Sequence, residues 1–168
     1  ASLAYGLGIS PEENKTIAVY DLGGGTFDVS ILQISNGIFE VLSTNGDTYL
    51  GGDDIDRAIV DFWLQQVPAA KRPQKEDTAA LQSYRLAAVH AKHQLTTDSN
   101  VEAIVDGHTF SLNHAQLEEI IMPLVGRTLT CCQLALDDAK LTVANIDEVV
   151  LVGGSTRMHA IKKKVSSF

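Results

Sequence analysis

Residues 21–28 read Asp-Leu-Gly-Gly-Gly-Thr-Phe-Asp, and this stretch decides the fold predicted for the chain. It separates a short apolar run at 16–20 from an alternating run at 27–34, and each run is typical of a β-strand. Three consecutive glycines exceed what a tight turn requires, and glycine lets several backbone N–H groups approach an anion closely. The stretch therefore favours a phosphate-binding turn between two strands over a plain glycine-rich hairpin.

The polar residues around these glycines suit a phosphate group accompanied by a metal ion. Thr26 offers a hydroxyl to a terminal phosphate, and Asp21 and Asp28 stand at the two ends of the turn. Carboxylates hold Mg²⁺ well, commonly through its water shell. The sequence therefore predicts that the turn holds a phosphate together with magnesium.

Two further glycine pairs carry weaker signals. Gly-Gly-Ser-Thr-Arg at 153–157 follows a predicted strand at 147–152 and precedes a predicted helix, an order that presents a helix N-terminus to a ligand. Gly-Gly-Asp-Asp at 51–54 is weaker as a binding element. Its favoured interpretation is a helix cap, with Asp54 capping a helix whose apolar residues recur at helical spacing.

The remaining pattern predicts alternating hairpins and helices. Asn36-Gly37 is a strong hairpin signal, with a returning strand at 38–43. After a polar connection, the expected elements are a helix at 78–95 and a hairpin of strands 101–105 and 108–110. Asn113 and Gln116 form a capping box for a further helix, in which Pro123 should cause a kink or an end before the helical pattern resumes to about 140. Trp63 is expected in the core.

Composition limits the class of protein. The net charge of −8 over 168 residues argues against a general nucleic-acid binder, and no run of about 18 apolar residues predicts a membrane span. Residues 1–6 lack the pattern of a signal peptide, and both ends of the chain read like interrupted helices, so both are expected to be cut points. The adjacent Cys131 and Cys132 cannot readily pair, and reduced thiols are expected.

Taken together, the motifs at 21–28, 50–56 and 151–157 resemble the ATPase domain of DnaK-type heat-shock chaperones. The resemblance covers essentially the whole chain, including 4–7 and 45–48. It implies an α/β fold, namely lobe II of an actin-like (ribonuclease H-like) ATPase, with a mixed sheet flanked by helices plus a smaller α+β upper subdomain. Residues 1–50 and 122–168 would form the base subdomain, and residues 51–121 the upper one.

The resemblance also implies roles for individual residues, with ATP or ADP and Mg²⁺ as cofactors. Asp21, Thr26 and Asp28 would be catalytic, and the two aspartates would hold Mg²⁺ through water. The implied nucleotide-binding residues are Gly23, Gly24, Gly25, Thr26, Lys92, Thr96, Gly153, Gly154, Ser155 and Arg157. Arg157 could stack on the adenine face, and Lys92 and Thr96 belong to a helix that grips the adenosine.

Two departures from the general pattern stand on that helix. Val89 replaces a glutamate and His93 an arginine, which predicts a weaker hold on the nucleoside. With the segments 95–101 and 121–129, these departures resemble the HscA-type branch, which serves iron–sulfur cluster assembly. His90 and His93 share a helix face, but without a third ligand exposed or adenosine-adjacent histidines are favoured over a metal pair.

The expected function is a nucleotide-binding lobe of an ATP-driven chaperone of the bacterial cytoplasm. The parent protein would be an ATPase, but the lobe alone would be inactive, because the resemblance assigns key catalytic parts to a first lobe. The implied partners are that first lobe, a peptide-binding domain, a J-domain co-chaperone and an iron–sulfur scaffold, with no nucleic acid and no membrane. The alternatives are a general DnaK-branch lobe, a lobe of an actin-like-fold small-molecule kinase, and an actin-type filament subunit.

Overall fold

Three consecutive strands open the part of the chain that the computed structural model describes, residues 14–168. They are β1 (Lys15–Leu22), β2 (Phe27–Ser35) and β3 (Ile38–Asp47), paired antiparallel in order. Asn36 and Gly37 form the β2–β3 turn with φ of 51° and 74°, which confirms the predicted hairpin. The strand predicted to end at residue 43 runs on to Asp47. The expectations for residues 1–6 and 4–7 lie outside the described residues.

A fourth strand makes the sheet mixed. β6 (Glu148–Val152) lies parallel to β1, and the strand order is β3-β2-β1-β6. Side chains alternate between the two faces of β1: Tyr20 and Leu22 join the main core, whereas Ile17 and Val19 form a second cluster on the opposite face. The sheet is therefore apolar on both faces, as a sheet between two layers requires.

Two helices and a short hairpin form a second region. They are α1 (Gly52–Gln66), α2 (Thr78–Gln94), β4 (Asn100–Val105) and β5 (His108–Asn113), and a single 3-10 turn, Ala69–Lys71, interrupts the polar connection between the helices. Trp63 is fully buried and stacks on Phe110 with ring centroids 5.3 Å apart, and Tyr84 packs on the same ring at 5.8 Å. The predicted core role of Trp63 is confirmed.

The longest helix, α3 (His114–Asp138), packs on β2 and β3. Its predicted capping box is confirmed, since Asn113 Oδ1 accepts from the Gln116 N–H at 2.9 Å and Gln116 Oε1 from the Asn113 N–H at 3.0 Å. Of the predicted kink or end at Pro123, the end is wrong, because α3 continues through this residue. Pro123 removes one backbone hydrogen bond, but Ile121 and Val125 on either side are buried and hold the helix to the core.

α3 is also long and apolar enough, by length and composition, to cross a membrane. Its apolar face is buried against the sheet, and a core helix passes the same test. Tyr20 Oη donates to Thr128 Oγ1 at 2.7 Å, which ties β1 to the helix, and burial raises the pKa of Tyr20 to about 12. Cys131 and Cys132 on this helix are free thiols as expected, and burial raises the pKa of Cys132 to about 12.

The last helix, α4 (His159–Ser166), follows the stretch 153–157, as the sequence predicts. A 3-10 turn, Gly154–Arg157, and Met158 separate it from β6. The predicted order of strand, glycine pair and helix is confirmed, but the N–H groups next to the glycine pair belong to the tighter 3-10 turn and not to α4.

Candidate functional site

The three glycine stretches, far apart in sequence, converge around one cavity of about 240 Å³. Most of the predicted nucleotide-binding residues line it: Gly23, Gly24, Lys92, Thr96, Gly154, Ser155 and Arg157. Gly25, Thr26 and Gly153 lie in the same turns but do not line the cavity. The sequence-based site set omits four lining residues, namely Gly52, Asp53, His93 and Met158.

The β1–β2 turn at the floor of the cavity is held by its own backbone and by α1. The Gly23 N–H donates to the Thr26 carbonyl at 3.0 Å, which closes the turn and leaves Gly24, Gly25 and Thr26 exposed. The N–H groups of Gly52 and Asp53 donate to the carbonyls of Gly23 and Gly24 at 2.9 and 2.7 Å. The first turn of α1 therefore anchors the glycine turn.

Close approaches to the glycine turn and to Ser155 explain why residues 51 and 52 are both glycine. A Cβ at Gly51 would lie 2.5 Å from the Gly24 carbonyl oxygen and 2.6 Å from Gly25 Cα, and a Cβ at Gly52 would lie 2.8 Å from Ser155 Oγ. The interpretation of 51–54 as a cap at Asp54 is wrong in its position. Gly51 is the N-cap, and Asp54 Oδ2 accepts from the Gly51 N–H at 2.9 Å.

The third glycine stretch reaches the same floor from β6. Gly153 has φ of 92°, and a Cβ there would lie 2.2 Å from the Leu22 carbonyl oxygen, so only glycine fits. Ser155 is buried, and its hydroxyl donates to the Gly23 carbonyl at 3.3 Å. The Gly23 carbonyl thus accepts from both other glycine stretches, which fixes the three turns to one another.

The opposite wall of the cavity comes from the last turns of α2. Lys92 Nζ forms an ion pair with Asp56 Oδ1 at 2.6 Å and donates to the Gly52 carbonyl at 3.2 Å. His93 and Thr96 are exposed at the cavity, and Thr96 Oγ1 donates to the His93 carbonyl at 2.7 Å. This wall presents side chains, whereas the glycine turn on the floor presents backbone.

Asp21 and Asp28 do not line the cavity but face each other beside it. They are direct partners in the antiparallel β1–β2 pairing, so their carboxylates project from the same face of the sheet. Like charges placed opposite each other repel unless a cation or water lies between them. Within residues 14–168 no group of three or more His, Cys, Asp or Glu side chains is arranged to hold a metal ion. His90 is exposed on α2 and does not line the cavity.

Known proteins that resemble this chain match it over the three glycine motifs and the rest of its length. The Hsp70 protein family matches residues 1–168. The chaperone protein dnaK of Cyanophora paradoxa is 46% identical over 98% of this chain and 28% of its own length. The chaperone protein HscA of Pectobacterium atrosepticum is 43% identical over the whole chain and 26% of its own length.

This chain spans about a quarter of the length of these relatives. The match over every residue, together with the mixed sheet flanked by helices, confirms the predicted α/β fold of the actin-like ATPase type. The resemblance stated from the three glycine motifs is confirmed as well. The chain belongs to the Hsp70 family.

Proposed function

We propose that this chain is a nucleotide-binding lobe of an ATP-dependent molecular chaperone. The observation that carries the proposal is the convergence of three separate glycine stretches on one cavity with a lysine and an arginine at its walls. Exposed backbone at Gly24 and Gly25 suits a phosphate, since N–H groups there can approach anionic oxygens without a side chain in the way. Arg157 offers a planar guanidinium that can stack on the adenine face.

The phosphate end of the ligand is proposed to lie at the β1–β2 turn. Gly24, Gly25 and Thr26 would contact the β- and γ-phosphates, with Thr26 giving a hydroxyl. Asp21 and Asp28 fit Mg²⁺, which takes one or two carboxylates, several waters and phosphate oxygens, and a cation would relieve the repulsion between these paired carboxylates. When bound, the ion would neutralise phosphate charge, while the two aspartates orient its water shell.

We propose that hydrolysis requires a further lobe. The base subdomain would comprise residues 1–50 and 122–168 and the upper subdomain 51–121, so that the border near Pro123 falls within the continuous helix α3. The residues that line the cavity include Lys92 and Arg157 but offer no carboxylate base other than Asp53, which pairs with Arg85 at 3.2 Å. The isolated chain should therefore release phosphate from ATP at a negligible rate. Release at the rate of the full-length protein would reject this division of labour.

The finer assignment is to the HscA-type branch, with the general DnaK branch as the alternative. The support is chemical: His93 lines the cavity where the general pattern has arginine, and Val89 cannot donate or accept a hydrogen bond. Relatives of both kinds share similar identity with the chain, so these two residues carry the proposal. Under this assignment, the full-length protein would carry a peptide-binding domain, would interact with a J-domain co-chaperone and an iron–sulfur scaffold, and would be located in the bacterial cytoplasm.

Nucleotide binding is testable with a matched pair of glycine variants in the full-length protein. A Cβ at Gly154 and a Cβ at Gly126 both meet open space, but only Gly154 lines the cavity. We expect Gly154→Leu to weaken ADP binding at least about tenfold, as measured by calorimetric titration with Mg²⁺ present, because the new side chain enters the cavity. Gly126→Leu on α3 should bind ADP like the wild type. Equal binding by both variants would show that the nucleotide does not occupy this cavity.

A further inference from the structure

Within residues 14–168 one acidic or basic residue is buried, and it belongs to α1. Asp56 is 3% exposed, and its Oδ1 lies 2.6 Å from the Nζ of Lys92, whose side chain is 12% exposed and lines the cavity. Asp56 Oδ1 accepts no hydrogen bond of good geometry within the described part of the chain, so its contact with Lys92 is an ion pair. The negative charge at that oxygen is therefore balanced by the Lys92 ammonium.

Because the ion pair is buried, the positions of its two charged groups are tightly constrained. A carboxylate removed from water is strongly unfavourable unless a cation and hydrogen bonds compensate it, so Asp56 and Lys92 constrain each other's position. The constraint extends to the floor of the cavity, because Lys92 Nζ also donates to the Gly52 carbonyl at 3.2 Å. The N–H of that same residue holds the Gly23 carbonyl at 2.9 Å. Asp56 thus links the α2 wall to the glycine turn through Lys92.

Other cations near the cavity are held less firmly. Arg85 pairs with Asp53, but both side chains are about half exposed, and Arg157 is exposed. Exposed pairs lose most of their interaction to solvent screening, whereas a buried pair keeps it. Lys92 is therefore the cation of this cavity whose direction the fold sets.

We propose that Asp56 is a positioning residue for nucleotide binding, which acts by holding the Lys92 ammonium at the cavity wall. The proposal rests on the nucleotide-binding function proposed above and assigns a role to a residue that does not itself line the cavity. Asp56 fixes where Lys92 donates, and without its charge the lysine turns towards solvent and contributes nothing to the bound nucleotide.

The test is a double-mutant cycle in the full-length protein, with ADP and Mg²⁺ in calorimetric titration. We expect Asp56→Asn to weaken ADP binding about tenfold, the change that follows from losing one hydrogen bond to a charged group. The double variant Asp56→Asn with Lys92→Met should bind ADP within about twofold of Asp56→Asn alone, because interacting residues are non-additive. Asp61→Asn, the same change at an exposed position of α1, should leave the dissociation constant unchanged.

The difference in ADP affinity between Asp56→Asn and the double variant tests whether Lys92 acts through Asp56. Lys92→Met alone leaves Asp56 buried without its cation and can fail to fold, whereas the double variant removes both charges, and its folding is checked by thermal unfolding. A double variant that binds about tenfold more weakly than Asp56→Asn would overturn the proposal, since Lys92 would then act without Asp56. Wild-type affinity in Asp56→Asn would overturn it too. A wild-type protein that binds no ADP would instead reject the nucleotide-binding function itself.

Discussion

On the floor of the cavity, the glycine turn at 23–26 contacts the first turn of α1 through backbone atoms and the turn at 153–157 through the Ser155 hydroxyl. The wall, in contrast, is formed by side chains of α2. The floor tolerates no Cβ at Gly51 or Gly153. The wall presents Lys92, His93 and Thr96, of which only Lys92 is held by a buried partner. A side chain on a helix can change without moving the backbone. Under the proposed function, substitutions in the wall should therefore change the affinity for nucleotide, while the floor keeps its shape.

The largest effect should come from adding one methyl group to the floor. Gly153→Ala puts a Cβ 2.2 Å from the Leu22 carbonyl oxygen at a φ of 92°, so it meets both a backbone clash and a conformation that alanine disfavours. We expect a loss of about 3 kcal/mol or more in the free energy of unfolding, measured by denaturant unfolding.

The matched control is the next residue along the chain. A Cβ at Gly154 meets nothing within 4 Å, so Gly154→Ala should unfold close to wild type. If both alanine variants were equally stable, the floor would be deformable, and the contrast between the two sides of the cavity would fail.

A change on the wall should alter affinity and spare stability. Val89→Glu combined with His93→Arg adds a carboxylate and a guanidinium to α2, and His93 is exposed at the cavity. We expect ADP affinity to rise about tenfold in calorimetric titration, since hydrogen bonds to charged groups strengthen the hold on the nucleoside. The thermal midpoint without nucleotide should stay the same.

The control for this variant is His90→Arg, which adds the same guanidinium at an exposed position of α2 outside the cavity. It should leave ADP affinity unchanged. Were the double variant to bind ADP no more tightly than wild type, the chemical argument for the HscA-type branch would be lost.

Local signals allowed much of this fold to be predicted. The Asn36-Gly37 turn and the Asn113–Gln116 capping box involve neighbours in sequence, so their residue types determine the outcome. The start of α1 could not be predicted in the same way. The N–H groups of Gly52 and Asp53 are satisfied by Gly23 and Gly24 across the fold, and α1 therefore begins before Asp54.

The candidate site shows the same limit. The β1–β2 turn and the turn at 153–157 could be predicted as binding elements because their glycines are consecutive in sequence. Most of the residues expected there do line the cavity. Gly52 and Asp53 join it only because α1 docks on the glycine turn, and no short-range pattern encodes that contact. The role of Asp56 could not be predicted for the same reason, because its partner Lys92 belongs to another helix. From the sequence alone, an aspartate in a helical pattern is expected to be exposed to solvent.

The smallest expected effect on stability concerns residues 47–50, the segment that leads from β3 to Gly51 on the floor of the cavity. Asp47 accepts from the Tyr49 N–H at 2.9 Å and pairs with Arg127, which also donates to the Tyr49 carbonyl at 3.3 Å. The Tyr49 hydrogen bond, followed by Arg127, lowers the pKa of Asp47 below its usual 3.8. A lowered pKa means that the contribution of Asp47 to stability is present above pH 3.8 and disappears as the pH falls through the folded value.

We therefore expect wild type to have a slightly higher thermal midpoint than Asp47→Asn at pH 6, and the difference to shrink as the pH is lowered towards 3. Asp61→Asn, at an exposed position of α1, should show no such convergence. A constant difference between wild type and Asp47→Asn at every pH would mean that the Asp47 charge does not brace this segment. Gly51 would then be held by the Asp54 carboxylate and by its close approach to Gly24 and Gly25, and the floor would be independent of the Asp47–Arg127 pair.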